Sequence, residues 1–160
     1  MLSLRFEDND TAHDDLVLRF AGERWVCDSY YLALDRELLP DREDADKVRA
    51  VLRRLLEQWL AALDRLPDGG TAYLPYDFSD QYTGWLACQR SGGEVTVSRG
   101  WADIEGWSFF PSGAGDLSER PRGFRVDGPT VRCSLPELVE AVRGSLAPDA
   151  EPGAAADGGA

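Results

Sequence analysis

The chain has 160 residues, of which 43% are hydrophobic, and this is enough for one globular domain with a sizeable core rather than a wholly disordered chain. Its 29 acidic and 17 basic residues give a formal net charge of −12. A field of this sign repels nucleic-acid phosphates and anionic lipid headgroups, so we expect neither nucleic acid nor a membrane as a partner, and a basic protein is favoured.

The N-terminal third predicts short strands. LSLRF at 2–6 alternates apolar and polar residues with a period of two, and the acidic stretch EDNDTAHDD at 7–15 predicts an exposed loop. LVLRF at 16–20 and RWVCDSYYLAL at 24–34 flank a short turn in which Gly22 can take a positive φ. These two segments therefore predict a hairpin.

The clearest element is a long amphipathic helix from Asp41 to about Leu66. Pro40 precedes it, and Pro67 follows it together with a pair of glycines. Apolar residues recur along one face at helical spacing: Val48, Val51, Leu52, Leu55, Leu56, Trp59, Leu60, Leu63 and Leu66.

Beyond this helix the period of two returns, and a capping box from Ser134 to Glu137 predicts a short helix that ends near Leu146. We predict an α+β domain over 1–147, with an antiparallel sheet of about six to seven strands packed on the long helix. The Ala/Gly-rich acidic tail at 148–160 is expected to be disordered. The later strands are predicted at 71–78, 84–90, 94–101 and 106–112, with a last hairpin at 124–126 and 130–133.

Three features of the sequence bear on the compartment and the source of the protein. The three cysteines form no C-x-x-C pair and are expected to be buried thiols in a reducing compartment. No apolar stretch is long enough for a membrane span, and residues 1–10 do not have the pattern of a signal peptide, so we expect a cytoplasmic protein. Lys47 is the only lysine beside 16 arginines, a composition associated with GC-rich bacteria.

Aromatic residues are concentrated between Tyr73 and Phe110, where three Gly-Trp steps occur among several carboxylates. Most of the indoles are expected in the core, with Trp107 and Tyr82 left exposed. Exposed Trp and Tyr anchor protein interfaces, and their rings also accept Arg or Lys. The predicted partner-binding face comprises Tyr76, Asp77, Asp80, Tyr82, Trp85, Trp101, Asp103, Glu105 and Trp107.

The sequence gives weaker indications of a catalytic or metal site than of a binding surface. His13 is the only histidine and lies in the acidic loop, so neither a Ser-His-Asp triad nor a zinc site is predicted, and no cofactor is expected. Paired carboxylates, Asp77 with Asp80 or Asp103 with Glu105, leave a small carbohydrate- or ligand-processing enzyme as an alternative. A subunit of a larger assembly is a third possibility.

The whole profile resembles that of bacterial immunity proteins, which neutralise a partner toxin. The resemblance rests on small size, acidity, Trp-rich strands and the lack of a catalytic set, and on no motif. It implies a non-enzymatic inhibitor of a basic protein.

Overall fold

A computed structural model describes residues 2–147, and the predicted disordered tail at 148–160 lies outside the described residues. Within this range the secondary structure follows the order strands, helices, strands, helix. The elements are β1 (Ser3–Phe6), β2 (Leu16–Phe20), β3 (Glu23–Cys27), α1 (Tyr30–Ala33), α2 (Ala45–Asp64), β4 (Thr71–Phe78), β5 (Thr83–Ser91), β6 (Glu94–Ala102), β7 (Arg125–Ser134) and α3 (Leu135–Leu146).

The strands form two antiparallel sheets, so the prediction of one sheet of six to seven strands is wrong in that detail, while the α+β class is confirmed. The small sheet has the order β1-β2-β3, and the large sheet has the order β4-β5-β6-β7. The large sheet is a meander, because each of its strands pairs with the next along the chain. The β2–β3 hairpin turns at Ala21 and Gly22, both with positive φ.

The two main helices are capped by their own side chains. Asp44 accepts a hydrogen bond from the Lys47 amide at 2.9 Å, and α2 therefore begins after Asp44 rather than at Asp41. The predicted capping box of α3 is confirmed, because Ser134 and Glu137 each bond the other's backbone amide. Ser134 is at once the last residue of β7 and the cap of α3.

Three segments differ from their predicted structure. The strand predicted at 24–34 ends at Cys27, and Tyr30–Ala33 form the short helix α1. Residues 106–112 form no strand; they belong to the long connection after β6, which places Phe109 against Trp85 at a ring distance of 5.8 Å. The predicted hairpin at 124–133 is instead one continuous strand, β7. Its pairing with β6 is irregular between Ser98 and Gly100, so the sequence Asp127-Gly128-Pro129 forms a bulge rather than a turn.

The large sheet is covered on both faces near Trp85. Its inner face carries Leu86, Cys88, Val97 and Arg99 in register, and it packs into one core with apolar side chains of the small sheet, α2 and α3. The opposite, outer face carries Trp85, which the connection after β6 covers. β4 is an edge strand, as Pro75 predicts, and its Tyr73 amide donates to the Leu117 carbonyl.

Candidate binding surface

A cleft opens between β3 of the small sheet and strands β4 and β6 of the large sheet, with the loop between β4 and β5 at its side. It encloses about 340 Å³, and we refer to it as the Arg99 cleft. Its walls combine carboxylates, indoles and phenols with one buried cation. The lining residues are Asp14, Trp25, Val26, Cys27, Asp28, Tyr76, Asp77, Ser79, Tyr82, Arg99 and Trp101.

Arg99 is a buried cation at the base of this cleft, with 8% of its surface exposed. Its alternation with Val95 and Val97 places it on the inner face. The guanidinium carbon lies 4.2 Å from the centroid of the Trp25 ring and 5.6 Å from that of Trp101. Such contacts between a cation and an aromatic face are attractive, particularly away from water.

The buried Nε of Arg99 has no hydrogen-bond acceptor among the described residues. The Nη1 of the same side chain donates to the Tyr76 hydroxyl at 3.3 Å. The backbone of Gly128 lies on the Nε side, because a Cβ added to this glycine would come within 2.8 Å of Nε. The bulge in β7 therefore makes room for the guanidinium.

A second bulge, in β4, turns Asp77 into the cleft. The register shifts between Pro75 and Asp77, so Asp77 pairs with Gly84, and Tyr76 and Asp77 both face the inner side. Gly84 permits this crowding, since a Cβ there would lie 2.9 Å from both the Asp77 Cβ and the Tyr76 Cζ. The Gly of this Gly-Trp step is thus required by a close approach.

Burial shifts the titration of the cleft's inner groups. It raises the pKa of the Asp77 carboxyl to about 6, although the bond from the Ser79 hydroxyl and the charge of Arg99 both oppose the shift. Burial also raises the pKa of Tyr76 and that of Cys27, so neither the phenol nor the thiol ionises near neutral pH. Cys27 is therefore no activated nucleophile.

The outer rim of the cleft is aromatic and acidic. The His13 ring stacks on Tyr30 at 6.3 Å, and its Nδ1 lies 3.3 Å from Asp28. Tyr30 packs edge-on against Tyr31, whose hydroxyl donates to the Asp80 carboxylate. This hydrogen bond raises the pKa of Tyr31 to about 12.

The other side of the rim is formed by two loops that are bonded to each other. Tyr82 follows β4 and meets Trp101 edge-on at 5.0 Å, while Trp107 lies in the connection after β6. The Gly106 amide donates to the Ser79 carbonyl at 2.7 Å and joins the two loops. Trp107 is 65% exposed and Tyr82 is 44% exposed, so the expected exposure of these two side chains is confirmed.

We call this surface the aromatic–acidic face. It is defined by Asp28, Tyr30, Tyr31, Asp80, Tyr82, Trp101 and Trp107.

The structure brings together only part of the predicted partner-binding set. Tyr76, Asp77, Tyr82 and Trp101 all line the Arg99 cleft, with Tyr76 fully buried at its base. The prediction that Trp85 belongs to an accessible face is wrong, because it is 5% exposed on the opposite side of the sheet.

The remaining predicted carboxylates differ in their surroundings. Asp80 lies on the rim through its bond with Tyr31. Asp103 is exposed but forms an ion pair with Arg125 at 3.2 Å. Glu105 is half-buried, and its carbonyl accepts bonds from Ser108. The charge of Asp103 is therefore partly compensated by Arg125.

Sequence reasoning missed seven of the eleven lining residues, and Trp25, Asp28 and Arg99 are the ones that matter most for the chemistry of the cleft. The signal for Arg99 was present, because it alternates in phase with the two buried valines of β6. Trp25 and Asp28 belong to the other sheet, and nothing in a local pattern places β3 over β6.

Comparison with protein-family models, with curated proteins and with solved structures finds no match for this chain. Within residues 2–147, no three or more His, Cys, Asp or Glu side chains are grouped so that they could hold a metal ion. None of the helices in the same range has the length and apolar character to cross a bilayer. Function is therefore argued from the cleft and its rim.

Proposed function

We propose that this chain is a non-enzymatic binding protein whose aromatic–acidic face engages a basic protein. The observation that carries the proposal is the exposure of Trp107 and Tyr82 on two mutually bonded loops of a chain with a net charge of −12. Exposed indole and phenol rings on a fixed backbone suit the centre of an interface, where few residues supply most of the binding energy.

Charge and aromatic chemistry select the same class of partner. Asp28 and Asp80 lie beside aromatic rings, and arginine or lysine can use both through ion pairs and cation–π contacts. The net charge steers a cationic protein toward the chain and speeds its association. A partner with a basic surface is therefore favoured over an acidic or neutral one.

The biological setting follows from the resemblance to immunity proteins and from the arginine-rich composition. We propose a bacterial, cytoplasmic inhibitor that covers the functional surface of a basic toxin. An inhibitor of this kind needs no catalytic group of its own, and the accessible rings of its face supply the contact. In this role the cleft and rim act as a preformed docking site.

The test is affinity capture at low salt from the cytoplasm of a native bacterial host, followed by binding measurements with the captured protein. We expect a basic protein that is released at about 0.5 M NaCl, since the Debye length then falls to a few ångströms. Trp107→Ala and Tyr82→Ala should each weaken its binding by about 1–2 kcal/mol or more.

Matched controls lie at the other end of the large sheet. Glu94→Gln and Gln89→Ala change exposed residues at the opposite end of β5 and β6 from Trp101, and they should leave affinity unchanged. Capture alone gives no support, because an acidic protein retains basic proteins non-specifically. If Trp107→Ala and Glu94→Gln bind equally well, the aromatic–acidic face is not the interface.

A second candidate is a small carbohydrate- or ligand-processing enzyme that uses Asp77. The raised pKa of this carboxyl favours it, because a protonated carboxylic acid near pH 6 can act as a general acid in an aromatic cleft. Loss of turnover in Asp77→Asn, with circular dichroism unchanged, is the result that distinguishes this candidate from a binding protein.

A further inference from the structure

We propose that the Arg99 cleft receives one cationic side chain, arginine or lysine, from the basic partner. This inference rests on the proposed function and adds to it the anchor by which the partner is recognised. The cleft opens at the aromatic–acidic face through Asp28 and Tyr82, so a side chain projecting from a docked protein can enter it.

The charges of the cleft favour a cation. Three carboxylates line it, Asp14, Asp28 and Asp77, against the single positive charge of Arg99. Asp28 is half-exposed, with 46% of its side-chain surface accessible, and it sits where an entering group would first make contact. Its carboxylate accepts a hydrogen bond from the Asp14 amide at 2.8 Å and lies 3.3 Å from His13 Nδ1, and an arginine entering the cleft can add a charge-assisted contact.

Arg99 does not make the cleft an anion site. Trp25 covers one face of its guanidinium, the Tyr76 hydroxyl accepts from Nη1, and Gly128 encloses Nε. Both Nε and Nη2 lie on the side of the β7 bulge, 2.8 and 3.1 Å from the position that a Cβ on Gly128 would take. An anion entering the cleft would meet the carboxylates before it reached any donor of Arg99, and like charges in a confined site repel each other strongly.

Aromatic rings supply the second part of recognition. Tyr82 and Trp101 meet edge-on at 5.0 Å and form one wall of the cleft, with much of Tyr82 exposed to solvent. Arg99 already illustrates the contact that such rings make, since its guanidinium lies 4.2 Å from the Trp25 centroid. A partner cation beside Trp101 would repeat this arrangement from the open side.

The size of the cleft limits its occupant. A volume of about 340 Å³ is near the lower end of ligand sites, which range from roughly 300 to 1,000 Å³. This space suits one extended side chain and excludes a helix or a strand of the partner. The rest of the interface then lies on the rim.

The test uses argininamide as the probe and citrullinamide as the control, which has the same α-amino group but an uncharged ureido side chain, followed by NMR of the indole N–H groups. We expect argininamide to shift the Trp101 and Trp25 signals in a saturable manner, and citrullinamide to leave them in place. The indoles of Trp59 and Trp85 bond Pro75 and Thr83 inside the core, so their signals should stay fixed and report an intact fold.

Variants identify the groups that hold the cation. Asp77→Asn and Asp28→Asn should each weaken argininamide binding roughly tenfold, the effect of losing one charge-assisted contact. Asp28 is half-exposed, so its variant keeps the test valid if Asp77→Asn disturbs β4. Glu94→Gln removes the same charge at the far end of the sheet and should change the affinity less than about twofold.

Three results would overturn the proposal: no saturable shift of the Trp101 indole, an equal shift with N-acetylglycinate, or unchanged affinity in both Asp variants.

The failure of this proposal can be distinguished from the failure of the proposed function. If partner binding depends on Trp107 while argininamide does not bind, the interface stands and the anchor is wrong. If argininamide binds while no protein partner depends on Trp107, the cleft holds a small cation and the partner's side chain is excluded.

Discussion

Asp77, which we propose contacts a bound cation, lies where burial opposes its negative charge. The bulge in β4 turns its carboxyl toward Arg99, yet burial removes water that would otherwise solvate the charge. The positive charge of Arg99 compensates only in part, because the pKa of Asp77 is still raised to about 6. At neutral pH the folded chain therefore holds a carboxylate that would be better solvated when unfolded.

We predict that Asp77→Asn raises the free energy of unfolding by about 1–2 kcal/mol at pH 7. The folded pKa of about 6 lies above the unfolded value of about 3.9, so the folded state binds the proton more readily. The gain over the natural chain should be nearly full above pH 6, should shrink between pH 6 and 4, and should disappear below about pH 4, where both states hold the proton.

Urea unfolding of both proteins between pH 4 and 8 measures this difference. Taking the difference between the two proteins cancels other titrations, such as that of Glu7, whose pKa is lowered chiefly by its hydrogen bond with Arg19. A gain that is the same at every pH would show that Asp77 is not the titrating group. If Asp77→Asn both raises the free energy of unfolding and weakens argininamide binding, Asp77 contributes to binding at a cost in stability.

At the scale of elements, bulges in β4 and β7 shape the cleft. The β4 bulge aims Tyr76 and Asp77 at the same side, and the β7 bulge around Gly128 accommodates the Arg99 guanidinium. Gly84 in β5 allows the first bulge to sit close to its neighbour strand. The register of the strands thus sets the shape of the cleft, and the side chains that face it set its charge and hydrogen bonding.

We predict that Gly84→Ala destabilises the fold by about 1–3 kcal/mol, the usual effect of overpacking a rigid core. The added methyl would lie 2.9 Å from the Tyr76 ring and from the Asp77 Cβ, and β4 would have to shift. Gly93→Ala is the matched control, because it is also in the large meander and has open space around its Cβ position.

Thermal unfolding of the two variants gives the comparison. Equal midpoints for Gly84→Ala and Gly93→Ala would mean that the bulge can relax at little cost. The lowered midpoint expected for Gly84→Ala should be accompanied by a shift of the Trp101 indole signal, since the cleft wall moves with β4.

Local sequence patterns predicted the elements better than their arrangement. The alternation of β5 and β6, the stripe of α2 and the capping box of α3 are encoded within short windows, and the structure confirms them. The division into two sheets depends on contacts between distant segments, which no window contains. Gly128 and Pro129 suggested a turn because they are common in turns, but here they form a bulge opposite Arg99.

The sequence predicted only part of the candidate site, because the site too is formed by contacts between distant segments. Tyr82 and Trp107 were expected to be exposed, and they are. Trp85 was misplaced because alternation assigns it a face without saying what covers that face, and Phe109 comes from a segment that looked like a strand. The cleft itself needed β3 to meet β6, and only the folded chain supplies that contact.

For the whole molecule, charge and aromatic exposure are distributed differently. Acidic residues occur throughout the chain, so the field that attracts a cation is general. Exposure of large rings is localised: Trp59 and Trp85 are buried, Trp25 and Trp101 are half-buried, and Trp107 is the indole with most of its surface in solvent. In the proposed function, long-range attraction would bring a basic partner near, and the localised rings would determine where it binds.

We predict that Trp107→Phe removes most of the acrylamide-quenchable tryptophan emission of the folded protein and shifts the remaining spectrum to the blue. The physical reason is that the collisional quencher reaches an indole that is 65% exposed and fails to reach those that are 1% and 5% exposed. Stern–Volmer plots of the natural chain and the variant provide the measurement.

Trp101→Phe serves as the comparison, since its indole is half-buried against Tyr82 and should account for a smaller share of the quenching. If the two variants lose equal shares, Trp107 is shielded in solution. Such shielding would be expected if copies of the chain associate through this loop, and the quenching would then depend on protein concentration.

The protected edge of β4 has a consequence for aggregation. Exposed edge strands recruit strands from other chains, and this is a common route to fibrils. In β4 the Pro75 nitrogen carries no hydrogen to donate, and the Tyr73 amide is already bonded to Leu117. An incoming strand could not form hydrogen bonds with β4 at either position. The chain can therefore expose aromatic rings on the rim of the cleft without offering this edge for cross-β growth.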